Sequence, residues 1–225
     1  MNTKEQSTIL ISVIICTYNR GHLLKRALNS VLRQTFNDYE LIVIDDGSIE
    51  DIKSIINLYS KQFQDLKYFR HQHKGTSFSR NKGISIAQGS YITFLDSDDE
   101  YKEHHLKEMV SFIKKIPDID FIHSFPEIIG TEDDMWLVSA ADQSKLIHVN
   151  DCVYGGTFFA KKEVFVQMNG FKDVPYGEDY DFFTRLNSNS KFKIQKSSKK
   201  TYVYHRNVDD SVCNAMKRKR QPTSE

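Results

Sequence analysis

Cysteine is scarce in this chain of 225 residues, which has only Cys16, Cys152 and Cys213. Their number is odd and no two of them form a CxxC pair, so the sequence favours neither a zinc ribbon nor a disulfide scaffold. Free thiols buried in a reducing compartment are the simplest interpretation. We therefore expect a cytoplasmic protein whose fold does not depend on disulfide bonds.

Net charge and long apolar runs are lacking too. The formal net charge is +1, so no overall electric field would attract nucleic acid. The longest apolar run, residues 9–15, is interrupted by Ser12 and is too short to span a bilayer. The first residues do not show the charged and then apolar pattern of a signal peptide. Nucleic-acid binding and membrane insertion are therefore not expected.

Three predicted strands each lead into a polar loop. The strands and loops are residues 9–15 with Cys16-Thr17-Tyr18-Asn19-Arg20, residues 40–44 with Asp45-Asp46-Gly47-Ser48, and residues 91–95 with Asp96-Ser97-Asp98-Asp99. Apolar, β-branched and aromatic residues predict buried strands, and a helical pattern follows each loop. Strand, loop and helix repeated in this order predict a parallel sheet with all three loops on one edge.

The loop after the third of these strands places three carboxylates, Asp96, Asp98 and Asp99, within four residues. Open α/β sheets bind ligands beyond the carboxyl ends of their strands. Hard cations such as Mg2+ or Mn2+ take carboxylate ligands together with substrate phosphates. The cluster therefore predicts a metal–diphosphate site, and the alternative is a solvated acidic turn that caps the next helix.

A set of short motifs resembles a known family. The motifs are residues 12–20 (SVIICTYNR), 40–48 (ELIVIDDGS), 79–83 (SRNKG), 89–99 (GSYITFLDSDD), 155–159 (GGTFF), 169–171 (NGF) and 177–181 (GEDYD). Their order and spacing, from about residue 9 to residue 205, resemble the family 2 glycosyltransferases of the GT-A fold. Cys16 departs from the many relatives that have proline before the Thr-Tyr-Asn run, a change that affects loop stiffness and no evident ligand.

The resemblance implies an α/β fold of the GT-A type, with a Rossmann-like, mostly parallel central sheet flanked by helices and a smaller acceptor-side region. The expected organisation is an N-terminal extension (1–8), a single domain (9–206) and a polar, basic tail (207–225). Within the domain, residues 9–125 would form the nucleotide-sugar half and residues 126–206 the acceptor half. Residues 126–150 have little periodicity and are expected to form strand and loop excursions.

The other predicted elements follow from local pattern. They are helices at 23–32, 52–59, 78–88, 106–113, 162–168 and 178–186, and strands at 66–70, 120–124, 154–159, 192–196 and 201–204. Gly89 is the expected C-terminal stop of the helix at 78–88.

The implied activity is that of an inverting hexosyl- or N-acetylhexosaminyl-transferase of polysaccharide biosynthesis. The donor would be a nucleoside diphosphate sugar, most simply a UDP-sugar, and the acceptor a hydroxyl of a glycan or lipid-linked glycan. Mn2+ or Mg2+ would offset the charge of the diphosphate. The alternatives are a nucleotide-sugar-binding module without turnover and a phosphatase with an Asp nucleophile, which would place its Asp-x-Asp motif on the first strand.

For the nucleotide, the resemblance implies a lining of Thr17, Tyr18, Asn19 and Arg20. Tyr18 can stack on the base, and Arg20 offers a planar fork of donors. One of the pair Asp45 and Asp46, preferably Asp46, would accept a hydrogen bond from a ring N–H of the base. The alternative for that pair is a turn that caps the next helix.

Arg80 and Asn81 lie just inside a predicted helix start, which favours anions. The resemblance places them on the ribose or the phosphates, and the alternative is a solvated helical face. Asp98 would be the main metal ligand, with Asp96 and Asp99 supporting it and Asp96 also near the ribose. His205 would be a further metal or phosphate contact, or else a structural histidine.

Asp179 is the expected catalytic base, because a carboxylate can take the acceptor proton, and Glu178 is its rival. Acidic residues are also favoured in the first turn of a helix for electrostatic reasons alone. Residues 155–157 would approach the sugar closely. The basic run at residues 217–220 would be either a solvated end or a contact with anionic lipid at the inner face of the membrane.

Overall fold

The computed structural model describes residues 11–208 and 211–220. Its strands are β1 Ile11–Thr17, β2 Tyr39–Asp45, β3 Leu66–Arg70, β4 Tyr91–Asp96, β5 Glu100–Tyr101, β6 Phe121–Ser124, β7 Glu127–Ile129, β8 Trp136–Val138, β9 Leu146–His148, β10 Phe159–Lys161, β11 Ile194–Ser197 and β12 Tyr202–His205. Its α-helices are α1 Gly21–Leu32, α2 Ile52–Ser60, α3 Thr76–Ile86, α4 His105–Lys115, α5 Lys162–Gln167, α6 Glu178–Asn187 and α7 Val212–Arg220.

Seven strands form the central sheet, in the order β11-β6-β10-β4-β1-β2-β3. Strands β4, β1, β2 and β3 are parallel to one another, and β11 is parallel to β6. The short strand β10 is antiparallel to both of its neighbours, β4 and β6. Smaller sheets are β5-β12-β7 and β8-β9. The predicted α/β fold with a mostly parallel sheet is confirmed.

The central strands are mostly apolar, as expected where helices cover both faces of the sheet. Along β1, Ile11, Val13 and Ile15 face one apolar cluster, which includes α1, α2 and α4. Ile14 faces a second cluster with α3, α5 and α6. The helical stripes read from the sequence, such as Leu24 on α1, are the faces that these clusters bury.

Two local predictions are wrong. The helix predicted at 78–88 is α3, which ends at Ile86, so Gly89 is not its stop. Gly89 instead lies against the backbone of Ser12, where a Cβ atom would come within 2.6 Å of the Ser12 nitrogen. The strand predicted at 154–159 begins only at Phe159, because residues 155–157 form a 3-10 turn.

The second half of the chain adds strands to the central sheet and builds a separate hairpin. Strands β8 and β9, within the poorly patterned stretch, pair as an antiparallel hairpin, as expected of a strand excursion. The hydroxyl of Tyr176 donates to the carbonyl of Val138 at 2.9 Å and holds the hairpin near the start of α6. Residues 212–220 of the predicted tail form α7, and the predicted extension 1–8 and residues 221–225 lie outside the described residues. Within the described part, no helix is long and apolar enough to cross a membrane.

Candidate active site

The carboxyl ends of three strands meet at one edge of the sheet, as predicted. In the parallel register, Thr17 at the end of β1 lies opposite Asp45 at the end of β2. On the other side of β1, Cys16 lies opposite Asp96 at the end of β4. The loops that follow these strands therefore surround one crevice.

The first two loops are joined by Asn19. Its backbone N–H donates to Ser48 Oγ at 2.9 Å, and its side-chain oxygen accepts from the backbone N–H of Ile49 at 2.7 Å. Asn19 has a φ of 52°, a left-handed conformation that asparagine tolerates better than most residues. Beside it, Thr17 Oγ1 is buried and has no hydrogen-bond partner in the described part of the chain. This hydroxyl is a polar atom left for a ligand or water.

Asp45 and Asp46 are both buried, and both carboxylates accept hydrogen bonds from the protein. Asp45 accepts from the backbone of Ser48 at 2.8 Å and from the hydroxyl of Tyr68 at 2.8 Å. Asp46 accepts from the backbone N–H groups of Lys74 and Gly75, at 2.8 and 2.9 Å. Asp45 thus shapes its own turn, whereas Asp46 holds the loop that leads into α3.

His73 is a member of this crevice that the sequence analysis missed. Its ring stacks on Tyr18 with the centroids 4.0 Å apart, and its Nδ1 lies 2.8 Å from Asp46 Oδ2. Tyr18, which is predicted to stack on a base, therefore forms an aromatic ledge together with His73. The only sequence signal was an aromatic-basic run after a short strand, His71-Gln72-His73, with no motif of its own.

Asp98 is buried and forms an ion pair with Arg20. Arg26, on α1, donates to the backbone carbonyl of Asp98. Burial raises the pKa of the Asp98 carboxyl, and the nearby Arg20 guanidinium opposes this effect. The predicted main metal ligand and a predicted nucleotide ligand are therefore paired with each other.

Asp99 lies deeper in the fold than Asp98. It accepts from the hydroxyl of Tyr202 at 2.5 Å and from the backbone N–H of His205 at 2.8 Å. Burial, and then the charge of Asp98, raise the pKa of Asp99 well above its usual value. The ring of His205 faces Glu100, with Nε2 3.0 Å from Oε1. Asp99 thus anchors β12, and the imidazole of His205 is engaged with Glu100.

These contacts decide which of the predicted ligands can hold a metal in the observed arrangement. Within residues 11–208 and 211–220, no group of three His, Cys, Asp or Glu residues is placed to hold a metal ion. Asp99 and His205 are engaged by protein groups, as described above. Asp96 and Asp98 are paired with Arg80 and Arg20, and the Asp96 side chain is still 39% exposed. Two carboxylates together with substrate phosphates are a sufficient ligand set for Mg2+, so this pair fits the chemistry of a hard cation.

Arg80, on α3, is buried between the two halves of the site. Its Nη1 donates to Glu178 Oε1 at 2.8 Å, and its Nη2 donates to Asp96 Oδ1 at 3.0 Å. Burial alone would lower the pKa of the Arg80 guanidinium, but Asp96 and Glu178 outweigh burial and raise it. Asn81 next to it exchanges two hydrogen bonds with the backbone of Phe171, at 2.7 and 2.9 Å.

Asp179 lies in the first turn of α6, next to Glu178, the partner of Arg80. Its carboxylate accepts from the backbone N–H of Gly155 at 3.1 Å and from its own neighbour Tyr180 at 2.8 Å. Burial, and then the charge of Glu178, raise the pKa of Asp179 to about 6, against the lowering effect of Arg80. A carboxyl with such a pKa is ionised at neutral pH and is still basic enough to accept a proton.

Tyr202 is a second residue that the sequence analysis missed. Its buried hydroxyl reaches Asp99 at 2.5 Å and Asp96 Oδ2 at 3.3 Å. Gly156 packs on the ring of Tyr202, where a Cβ atom would come within 2.4 Å. Gly155 and Gly156 thus lie against protein side chains, those of Arg80 and Tyr202.

Comparison with known proteins places this geometry in a family. The sequence profile described as "Glycosyl transferase family 2" matches residues 12–172. GalNAc(5)-diNAcBac-PP-undecaprenol beta-1,3-glucosyltransferase of Campylobacter jejuni is 29% identical over 212 residues, which cover 90% of this chain and 66% of that protein. The chain therefore spans just under two thirds of that relative.

Two solved structures have a similar fold at low sequence identity. S. aureus TarS 1-349 in complex with UDP-GlcNAc has a TM-score of 0.72 and 22% identity, over 92% of this chain and 60% of that chain. Mannosyltransferase PcManGT from Pyrobaculum calidifontis, in complex with GDP-Man and Mn2+, has a TM-score of 0.66 and 16% identity, over 86% of this chain and 56% of that chain. The fold is the GT-A type, and the chain belongs to glycosyl transferase family 2.

Proposed function

We propose that this chain transfers a hexosyl or N-acetylhexosaminyl group from a nucleoside diphosphate sugar, most simply a UDP-sugar, to a hydroxyl of a glycan or lipid-linked glycan. The observation that carries the proposal is the bridge that Arg80 forms between Asp96 and Glu178, the residue that precedes Asp179. Arg80 thus links Asp96, a candidate ligand of a metal–diphosphate complex, to the helix turn that carries Asp179, the candidate base. The C. jejuni relative, named for a glucosyl transfer to an undecaprenol-linked glycan, supports the acceptor class.

The nucleotide would bind over the first two strand ends. The ledge of Tyr18 and His73 offers a stacking surface, with Tyr18 40% exposed. Asp46 would accept from a ring N–H of the base through Oδ1, because its Oδ2 already accepts from Gly75 and faces His73 Nδ1. Arg20, on leaving Asp98, would donate to the diphosphate, since a guanidinium suits phosphate oxygens. A pyrimidine base is the simplest occupant of this side.

Asp96 and Asp98 would hold Mn2+ or Mg2+ together with the diphosphate. The cation would supply positive charge that stabilises the leaving diphosphate. The nucleotide complex of TarS and the Mn2+ complex of PcManGT support this class of donor site. Asp99 and His205 would stabilise the loop and not bind the metal. Asp99 accepts from Tyr202 and from the backbone of His205, and the imidazole of His205 contacts Glu100.

Asp179 would take the proton of the acceptor hydroxyl as that hydroxyl attacks the anomeric carbon. Its neighbour Glu178 is the weaker candidate because its Oε1 accepts from Arg80. The backbone N–H of Gly155 donates to Asp179 at 3.1 Å and holds this carboxylate in place. A single in-line displacement would invert the configuration at the anomeric carbon.

The basic end of α7 would bring the enzyme to a lipid-linked acceptor at the inner face of the membrane. Lys217, Arg218, Lys219 and Arg220 form four consecutive cationic residues, and the last three are exposed. Anionic headgroups attract such clusters by about 1 kcal/mol per charge. Co-sedimentation with anionic but not with neutral vesicles would test this part of the proposal.

Calorimetry with UDP and GDP, with and without Mn2+, tests the donor site. UDP binding that Mn2+ strengthens, with the gain lost in Asp98→Ala, is the expected result. Asp118→Ala is the matched control because Asp118 is 80% exposed and pairs with Lys193 at the far edge of the sheet. Wild-type affinities that are equal with and without Mn2+ would refute the metal site. Slow hydrolysis of a UDP-hexose then separates an enzyme from a binding module without turnover.

A further inference from the structure

Arg80 is a buried charged side chain that bridges two carboxylates of the site. Its two terminal nitrogens donate to two different carboxylates, Glu178 at 2.8 Å and Asp96 at 3.0 Å. Its side chain is only 5% exposed. Each terminal nitrogen thus has a carboxylate partner before any ligand binds.

Two aromatic rings and a glycine surround Arg80. The guanidinium carbon lies 5.8 Å from the ring centroid of Phe94 and 5.2 Å from that of Phe171. Gly155 covers another side, and a Cβ atom at this position would lie 2.9 Å from Nη1. A glycine is therefore required at residue 155 for the guanidinium to sit where it does. With only 5% of the side chain exposed, little of the guanidinium is open to a phosphate.

The two partners of Arg80 come from opposite halves of the site. Asp96 ends β4, next to the predicted metal loop, whereas Glu178 is the first residue of α6. Glu178 is followed by Asp179, whose carboxylate is tied to the same Gly155 that covers Arg80. The bridge thus links the donor-side carboxylate to the first turn of the helix that carries the base.

We propose that Arg80 and Glu178 are a positioning pair that fixes Asp179 relative to Asp96, and that neither of them contacts the donor. This inference rests on the proposed function and deepens it, since it assigns a role to a residue that the motif alone would place on the phosphates. Glu178 then acts through Arg80 and takes no proton itself.

The charge of Arg80 also favours the ionised form of Asp179, the form that can act as a base. Arg80 opposes the rise in the pKa of Asp179 that burial and Glu178 cause. The other titratable groups near Asp179 are Cys152, Tyr154 and Tyr176 of the surrounding loops and Cys213 of α7. Each of these four groups is neutral at pH 7 because burial raises its pKa. Of these described neighbours of Asp179, only Arg80 is a cation.

A double-mutant cycle with Arg80→Lys and Glu178→Gln tests the pair. We expect each variant to keep its dissociation constant for UDP within about threefold of the wild type and to lose at least tenfold in kcat for UDP-hexose hydrolysis. The double variant should lose no more than the worse single variant, because one bridge is removed in either case. Asp181→Asn is the matched control, since Asp181 lies on the same helix and pairs with Arg185 at 2.8 Å outside the bridge.

Two outcomes would overturn the proposal. A tenfold weaker UDP affinity in Arg80→Lys, with normal affinity in Glu178→Gln, would make Arg80 a phosphate ligand. Losses in kcat that multiply in the double variant would make the two residues independent.

If the wild type neither binds UDP nor hydrolyses UDP-sugars, the proposed function fails. The pair is then judged by thermal unfolding of the same four proteins, where additive shifts in Tm contradict it and coupled shifts support it.

Discussion

Arg20, from the loop after β1, forms an ion pair with Asp98, from the loop after β4. The side chain of Arg20 is 17% exposed and that of Asp98 is 9% exposed, so the pair joins the two loops in a mostly buried position. A guanidinium thus lies against the carboxylate that we propose as a ligand of a divalent cation.

Removing this guanidinium should help a cation to bind. In Arg20→Gln without nucleotide, we expect Mn2+ to bind roughly two- to tenfold more tightly than in the wild type, the scale of a partly exposed ion pair. Free Mn2+ measured by electron paramagnetic resonance gives the affinity directly. Lys193→Gln removes the same charge from the far edge of the sheet and should change nothing. An unchanged affinity in Arg20→Gln would mean that Asp98 is not a ligand or that Arg20 does not obstruct it.

Asp179→Asn should bind UDP normally and lose turnover by ~10²–10⁴-fold, since Asn cannot accept the proton. The acidic limb of wild-type turnover should lie near pH 6, because the pKa of Asp179 is raised to about 6 and only the carboxylate form acts as a base. Turnover should therefore fall as the pH drops below 6. Hydrolysis of a UDP-hexose across pH 4.5–8 measures both effects. An acidic limb that persists unchanged in Asp179→Asn would assign it to another group.

Tyr202→Phe should destabilise the fold by about 1–3 kcal/mol, because the buried Asp99 loses a hydrogen-bond donor at 2.5 Å. Urea unfolding followed by circular dichroism measures this loss. Tyr180→Phe is the control, since Tyr180 is exposed. Equal stabilities of the two variants would show that Asp99 does not depend on this hydroxyl.

Glu40 provides a stability test away from the crevice. This buried residue near the start of β2 accepts from Ser12 Oγ at 2.6 Å and from Lys67 Nζ at 2.5 Å. Burial opposes the shift, but the hydrogen bonds from Lys67 and Ser12 lower the pKa of Glu40 below its usual value. Its stabilisation should therefore be complete at neutral pH and disappear as the pH falls through that lowered pKa.

In Glu40→Gln we expect about 1–3 kcal/mol less stability at pH 7. The difference from the wild type should shrink toward pH 3, and UDP affinity should not change. Urea unfolding at a series of pH values checks this, with the exposed Glu163→Gln as control. A difference that does not depend on pH would mean that the charge of Glu40 is not what stabilises the fold.

The strands and their common edge could be predicted because strands buried on both faces are continuous apolar runs, and polar residues follow where such a run leaves the core. The long-range partners could not. Tyr202 and Asp99 are 103 residues apart in sequence, and Arg80 and Glu178 are 98 apart. No local pattern connects such pairs. Strand β10 was misplaced for a related reason: at three residues it is too short for periodicity to locate, and its pairing with β4 and β6 defines it.

The antiparallel strand β10 has a consequence for how the chain can be made. It lies between β4 and β6 in the sheet, but in sequence residues 125–158 separate it from β6. During synthesis, the edge of β4 therefore stays bare until residue 161 has left the ribosome. Such an edge is a template for pairing with another chain. A fragment that stops at residue 125 would contain most of the donor crevice and would still expose this edge, so we expect it to aggregate.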